Sequence, residues 1–146
     1  MKKMILTLAI AFIAFTSFAS DNNTVSQKVL DAFKTEFSSA KEVQWTTESD
    51  YYRATFNYNG RYVFAYYSAD GEFLGLTRYL SVNELPVLLQ NNLKKNYDGY
   101  WISDLFEASK NEGTSYYITL ENADTKIVLR STDNNTWTSF SKFKKS

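Results

Sequence analysis

The sequence predicts an α+β fold in which one helix and four antiparallel strands occur twice in tandem. Three observations predict it: an apolar stripe of helical period that occurs twice, eight runs of strand-forming residues, and turn-forming dipeptides between those runs. Because the connections are short, we expect a curved sheet of about eight strands with both helices on one face. The other face is then left open to water or to a partner.

The two helices are predicted by apolar residues at four-residue intervals. The segment VSQKVLDAFKTEF carries Val25, Val29, Phe33 and Phe37, and LPVLLQNNLKKNY repeats these offsets with Leu85, Leu89, Leu93 and Tyr97. We expect Ser81 or Asn83 to cap the second helix and Pro86 to fall in its first turn. The recurrence indicates an internal duplication, with repeats at about 25–80 and 81–144.

Strand signals follow each helix. The first set is EVQWT, YYRATFNY, RYVFAYYS and EFLGLTRYL, and the second is WISDLFEAS, SYYITLEN, KIVLRST and TWTSFSKF. Asn59-Gly60 is typical of a type I′ hairpin turn, and Asp70-Gly71 and Asp133-Asn134 mark further turns. The predicted order of elements is therefore a helix and four strands, followed by a second helix and four more strands.

A two-residue turn at Asn59-Gly60 sets the register of the hairpin around it, because Tyr58 must then pair with Arg61. One face of this hairpin is predicted to be core, with Phe56 opposite Val63, Ala54 opposite Ala65 and Tyr52 opposite Tyr67. The reverse face carries Tyr62, Phe64 and Tyr66 in line, opposite Asn57, Thr55 and Arg53, and Tyr51 continues that row. We call Tyr62, Phe64 and Tyr66 the aromatic row.

The second half offers an internal comparison at an offset of 64 residues. There Leu120 is predicted to face Ile127 and Ile118 to face Leu129, while Lys126, Val128 and Arg130 occupy the places of the aromatic row. The row is therefore predicted to belong to the first half alone.

Two interpretations of the aromatic row stay open. Cross-strand aromatic and Arg-aromatic pairs stabilise a sheet by roughly 0.2 to 1 kcal/mol each, which needs no function. Alternatively, rigid aromatic side chains on an open face bind a partner. On the second interpretation the partner-binding residues are Tyr51, Arg53, Tyr62, Phe64 and Tyr66.

The first residues predict export. Lys2 and Lys3 precede an apolar run from Met4 to Phe15, and a small-residue site follows at Ala19, so residues 1–19 are predicted to be a cleaved signal peptide. The run is shorter than the about 20 residues that span a membrane. Residues 20–146 are then one domain, periplasmic or secreted, with no membrane span.

Composition restricts the chemistry. Without Lys2 and Lys3, 14 of the 16 basic residues remain against 16 acidic ones, which does not predict a nucleic-acid binder. The chain has no histidine and no cysteine, which excludes Ser-His-Asp and Cys-His catalysis and imidazole or thiolate metal sites. The acidic residues Glu48, Asp50, Asp70 and Glu72 are interpreted as solvated turn residues. We expect no cofactor, no metal and no enzymatic activity.

Several short stretches together resemble a known family. They are AFKTEFSSAKEVQW, the aromatic hairpin, the turn ADGEFLG, and NELP at the second helix. The chain from about Val25 to Phe143 resembles the PepSY-like, beta-lactamase-inhibitor-like family of exported bacterial proteins. The resemblance implies a tandem α+β repeat whose concave sheet face binds a protein. It does not imply inhibition of a beta-lactamase, because no stretch matches the inhibitory contacts and the cysteines are missing.

The sequence therefore predicts an exported, non-enzymatic module that holds a protein or peptide on its open sheet face. The alternative is a small-ligand or glycan-binding protein of the cell envelope. A cleft of roughly 300 Å³ beside the aromatic row would favour the alternative, and a broad shallow face would favour a protein.

Overall fold

The computed structural model describes residues 25–146. The predicted signal peptide, residues 1–19, lies outside these residues. The helices are α1 (Gln27–Glu36) and α2 (Val87–Asn96), and a 3₁₀ turn (Val82–Glu84) precedes α2. The strands are β1 (Lys41–Thr47), β2 (Tyr52–Tyr58), β3 (Arg61–Tyr67), β4 (Phe73–Tyr79), β5 (Trp101–Lys110), β6 (Gly113–Glu121), β7 (Thr125–Ser131) and β8 (Thr138–Lys144). The predicted order of elements is confirmed. Within the described range, no helix has the length and apolar character needed to cross a bilayer.

All eight strands form one antiparallel sheet in the order of the sequence, so β1 and β8 are its edges. The predicted register of β2 and β3 is confirmed from Tyr58 opposite Arg61 to Tyr52 opposite Tyr67. Asn59 and Gly60 both have positive φ, 52° and 81°, as a type I′ turn requires. The β6–β7 register is also as predicted, since it pairs Ile118 with Leu129 and Leu120 with Ile127.

Both helices cover the same face of the sheet, as predicted. Directly opposed residues point to the same side, and the pairing runs from Ala65 to Leu76 and from Leu76 to Ser109. Ser109 and Leu105 are separated by an even number of residues on β5, so they also share a side. Because Ala65 packs under α1 and Leu105 under α2, the two helices lie on one face. The fold class is confirmed.

The interior consists of two clusters, one under each helix. Under α1, Val29 and Phe33 pack against buried residues of β2 and β3, namely Ala54, Phe56, Val63, Ala65 and Tyr67. Under α2, Leu89 and Leu93 pack with Leu85, Leu105, Ile118, Leu120, Ile127, Leu129 and Trp137. The four-residue intervals seen in the sequence therefore correspond to core contacts.

A polar pair lies on the helix-covered face where the two halves meet. Arg78 on β4 stands opposite Glu107 on β5, and its Nε donates a hydrogen bond to the Glu107 carboxylate. This hydrogen bond raises the pKa of the Arg78 guanidinium. The β4–β5 ladder thus joins the halves at a polar position between their two apolar clusters.

The turn between β3 and β4 packs closely against α1. Gly71 has a φ of 85°, and a Cβ atom at this position would lie 3.1 Å from the Lys28 carbonyl oxygen. Ser26 Oγ donates a hydrogen bond to the Ala69 carbonyl oxygen at 3.4 Å. Glycine is required here both for the positive φ and for the close approach.

The start of α2 differs from the prediction. Ser81 caps the 3₁₀ turn rather than α2, and Pro86 is the residue before the first helical residue, Val87. The reason is steric: a proline disfavours helical geometry in the residue before it, and Leu85 is accordingly extended with ψ 153°. Asn83 lies inside the 3₁₀ turn and does not cap α2.

Glu84 should make stability depend on pH in acid. Its carboxylate accepts hydrogen bonds from the Ser81 backbone N–H at 2.8 Å and from Arg61, and these lower its pKa from 4.5 to about 2. A lowered pKa stabilises the fold above pH 4.5, and this contribution is lost as pH falls towards 2. Glu84→Gln should therefore flatten the urea-unfolding stability profile between pH 4.5 and 2. An unchanged profile would contradict the role of Glu84.

Tyr67 carries a buried hydroxyl without a hydrogen-bond partner in residues 25–146. The side chain is 1% exposed, and burial, with a smaller effect of Glu36, raises its pKa to about 12. Because a buried unsatisfied polar group costs about 1 to 3 kcal/mol, Tyr67→Phe should increase the free energy of unfolding by about 1 kcal/mol. Urea denaturation measures this, with the more exposed Tyr58→Phe as the control. A loss of stability would show that the hydroxyl is hydrogen-bonded in solution.

Candidate binding face

The face opposite the helices, here called the open face, is built from every second residue of each strand. On β2 to β4 it carries Arg53, Thr55 and Asn57, the aromatic row, and Thr77 and Tyr79. On β5 to β8 it carries Asp104, Phe106, Tyr117, Arg130, Phe140 and Phe143. No helix of the described chain covers these side chains.

Four of the five predicted partner-binding residues lie together. The Arg53 guanidinium carbon is 5.8 Å from the centre of the Phe64 ring, and the rings of Tyr51 and Tyr66 are 5.7 Å apart. The Tyr66 hydroxyl is 3.2 Å from Thr77 Oγ1. Packing within this group leaves Arg53, Phe64 and Tyr66 half-buried. Contacts among the predicted residues therefore stabilise part of the patch.

Tyr62, the fifth predicted residue, stands apart from this group. Its side chain is 58% exposed, and its hydroxyl donates a hydrogen bond to Glu42 Oε2 at 2.8 Å. This hydrogen bond raises the pKa of Tyr62. The Tyr62 ring therefore faces solvent beside the edge strand β1, while its hydroxyl is hydrogen-bonded to Glu42.

The structure extends the aromatic surface across both halves of the sheet. Phe64 makes an edge contact with Tyr79 at 5.7 Å between ring centres, Phe106 stacks on Tyr117 at 5.1 Å, and Tyr117 contacts Phe140 at 5.6 Å. The side chains of Tyr79, Phe140 and Phe143 are more than half exposed. Sequence reasoning missed these residues as part of the surface.

The two halves carry their open-face aromatic side chains on different strands. Lys126, Val128 and Arg130 do occupy the places of the aromatic row on β7, as predicted. The second half nevertheless carries aromatic side chains on the open face, from β5, β6 and β8 instead of β7. The aromatic row itself belongs to the first half alone, as predicted, and the second half adds other aromatic side chains to the open face.

Two arginines of the open face have equivalent surroundings. The Arg53 guanidinium lies over Phe64 and the Arg130 guanidinium lies over Tyr117, at 5.8 Å and 5.6 Å from the ring centres. The Nε atom of each is buried and has no hydrogen-bond partner in residues 25–146. Each guanidinium is thus held by an aromatic face while its hydrogen bonding is incomplete.

Cavities on this face are small beside the aromatic row. One of about 130 Å³ is lined by Arg53, Phe64, Tyr66, Thr77 and other residues of β4 and β5, and one of about 230 Å³ lies between Tyr51, Tyr66 and Leu74. A third, of about 300 Å³, lies away from the row, beside Tyr117 and Arg130. Ligand pockets are usually about 300 to 1,000 Å³, so the two cavities that residues 25–146 form beside the row are smaller than that.

Glu48, Asp50, Asp70 and Glu72 are exposed at turns, and no group of three or more acidic residues able to hold a metal occurs in residues 25–146.

Trp101 is 53% exposed, and Lys145 Nζ lies 4.7 Å from its ring centre. Lys145 also pairs with Glu121 at 2.7 Å, which lowers the pKa of Glu121. The basic C-terminal tail is therefore partly tied to the sheet.

Comparison with known proteins identifies the fold. The sequence matches no protein-family model, and no curated protein matches it significantly. Similar solved structures include a BLIP-like protein from Bacteroides fragilis, with 21% identity, 84% of this chain and 87% of that chain covered, and a TM-score of 0.72. A DUF2874 family protein from Bacteroides ovatus has 19% identity, coverage of 84% and 89%, and a TM-score of 0.73. A Bacteroides eggerthii structure, described as a candidate periplasmic protein, has 16% identity, coverage of 84% and 90%, and a TM-score of 0.71. The chain has a BLIP-like fold.

Proposed function

We propose that this protein is an exported, non-enzymatic binding module that holds a protein or peptide on the open face of its sheet. The observation that carries the proposal is the band of aromatic side chains on that face from β3 to β8, with Tyr62, Tyr79, Phe140 and Phe143 more than half exposed. Large exposed apolar patches on a folded chain mark interaction sites. Aromatic side chains on rigid strands bury much area at little cost in entropy.

The shape of the face favours a macromolecular partner over a small ligand. The cavities beside the aromatic row are about 130 and 230 Å³, below the usual range for ligand pockets. Binding without catalysis fits a chain that has no histidine and in which Glu48, Asp50, Asp70 and Glu72 are exposed at turns. We assign the binding role to Tyr51, Arg53 and the aromatic row, and add Tyr79.

Export and family membership are part of the same proposal. The segment from Lys2 to Ala19 has the charge, length and small-residue end of a signal peptide, so the domain is assigned to the periplasm or the extracellular space. A structural neighbour described as a candidate periplasmic protein supports this location. We also propose membership of the PepSY-like family, which the neighbours' BLIP-like fold supports.

The test is photo-crosslinking capture from cell-envelope extracts with three baits. The first is the unaltered protein, and the second carries Tyr62→Thr, Phe64→Val and Tyr66→Thr, which remove aromatic area but keep strand-forming side chains. The third, a matched control, carries Val87→Ala and Leu88→Ala, which remove exposed apolar side chains from α2 on the opposite face. We expect a protein captured by the first and third baits but lost from the second.

Two results would count against the proposal. Capture of the same proteins by all three baits would remove the aromatic row from the binding surface. Saturable binding of an oligosaccharide or apolar small molecule, lost in the second bait and accompanied by no protein, would establish the small-ligand alternative. Melting temperatures of the three baits show whether all are folded.

A further inference from the structure

We propose that the partner's binding segment is acidic and that Arg53 and Arg130 each receive one of its carboxylates. This inference rests on the proposed function, because it specifies the chemistry of the partner held on the open face. Three observations support it: only two of the four arginines form ion pairs within residues 25–146, the Nε atoms of the other two are buried, and those two arginines lie far apart on the sheet.

The four arginines fall into two groups. Arg61 and Arg78 are paired with the carboxylates of Glu84 and Glu107. Arg53 and Arg130 form no ion pair with any residue in 25–146. Both unpaired guanidiniums lie on the open face, and both paired ones lie on the helix-covered face, as their registers show. Among the described residues, the arginines on the helix-covered face thus have carboxylate partners, and those on the open face do not.

The unsatisfied atoms are also buried. Nε of Arg53 and Nε of Arg130 are shielded from water and have no acceptor within the described chain. A buried donor without an acceptor destabilises a fold unless something else supplies the acceptor. A guanidinium held over an aromatic ring is already oriented, so a carboxylate meets it with little further loss of entropy.

The neighbouring groups suit a carboxylate at each position. The cavity of about 130 Å³ beside Arg53 also contains the hydroxyls of Tyr66 and Thr77, which lie 3.2 Å apart; one donates to the other, and the accepting hydroxyl can donate its own proton to a carboxylate. The cavity of about 300 Å³ beside Arg130 contains Lys110 and the hydroxyls of Thr114 and Thr132. Each cavity also contains one acidic residue, Asp104 in the first and Glu112 in the second, and neither forms an ion pair with the arginine.

The separation of the two arginines points to one segment that contacts both. β2 and β7 are five strands apart, which is about 24 Å across the sheet at about 4.8 Å per strand. Their registers also offset the two arginines by about 13 Å along the strands, so the separation is about 27 Å, which an extended peptide of about eight residues covers at about 3.3 Å per residue. Between the arginines such a segment crosses the aromatic side chains of β3 to β6, so its acidic residues flank an apolar centre.

The experiment is selection of random 16-residue displayed peptides on the immobilised protein, because an extended 16-residue chain reaches both arginines. We expect selected peptides to be enriched in Asp and Glu. Synthetic copies in which Asn and Gln replace these residues should bind at least about tenfold more weakly by calorimetry. Arg53→Gln and Arg130→Gln should each weaken binding of the acidic peptide at least about tenfold, and Arg61→Gln, on the other face, should leave it unchanged.

The variants themselves should fold. Because Arg53→Gln and Arg130→Gln remove buried unpaired donors, the double variant should melt at or above the temperature of the unaltered protein. Weaker binding with unchanged or higher melting temperature therefore reports lost recognition and not unfolding. Undiminished binding of the acidic peptide by the folded double variant would overturn the inference.

The outcomes separate this inference from the proposed function. Peptides whose binding requires Tyr62, Phe64 and Tyr66 but tolerates loss of both arginines would overturn the inference and leave the proposed function standing. Selection that yields no peptide dependent on the open face would overturn both. Selected peptides without acidic enrichment overturn the inference whatever else they contact.

Discussion

Phe33→Ala is expected to lower the free energy of unfolding by about 3 to 5 kcal/mol, the usual cost of truncating a buried Phe. The Phe33 ring lies 4.9 Å from Phe56 and 5.2 Å from Trp45, centre to centre, so this residue of α1 packs directly on both aromatics. Truncation leaves a cavity that stiff rings cannot close. Because domains are stabilised by about 5 to 15 kcal/mol in total, much of the stability should be lost.

Urea denaturation of Phe33→Ala measures the effect, with Lys34→Ala as the matched control. Lys34 is the next residue on the same helix and is exposed, so its truncation should change stability by less than about 0.5 kcal/mol. If Phe33→Ala cost less than about 1 kcal/mol, α1 would not be packed on the first half as described. The second cluster offers a further check, because Phe33→Ala and Leu89→Ala should be nearly additive.

Trp137→Ala is expected to cost about 3 to 5 kcal/mol as well. Trp137 lies just before β8 and is 9% exposed, and its Nε1 donates a hydrogen bond to the Leu89 carbonyl oxygen at 3.1 Å. This contact joins the last strand to α2 across 48 positions of the chain. Its loss should therefore loosen both β8 and the second cluster.

Trp137→Phe separates the hydrogen bond from the packing. It keeps an aromatic ring but removes the donor, so it should cost about 1 kcal/mol from the hydrogen bond and a further share from the smaller ring. Trp101→Ala is the control, since Trp101 is 53% exposed and should lose less than about 1 kcal/mol. Equal effects of Trp137→Ala and Trp101→Ala in urea denaturation would contradict the burial of Trp137.

The part of the candidate surface that could be predicted is the part defined by tight turns. Asn59-Gly60 determined the pairing of β2 with β3, and the side of every residue from Tyr52 to Tyr67 followed from it. The same reasoning placed Ile118 opposite Leu129 and Leu120 opposite Ile127 in the second half. These pairings depend on local geometry, which short stretches of sequence encode directly.

The part that could not be predicted lies beyond irregular pairings. The register shifts between Tyr66 and Tyr67, between Ile102 and Asp104, and between Val128 and Leu129. Each bulge adds a residue and moves the following side chains to the other face, so counting from a turn fails there. Tyr79, Phe106 and Phe140 lie on strands reached through these bulges or through the long-range β4–β5 pairing. The internal duplication stays a prediction.

Helix stripes, strand runs and turn dipeptides by themselves determined the α+β class, the order of elements and the two hairpin registers, because each depends on neighbours within a few residues. Only the tertiary structure decided that the aromatic surface spans both halves and that two arginines are left unpaired upon it. The whole fold determines which distant strands pair and which arginines find a carboxylate. No local sequence pattern encodes either.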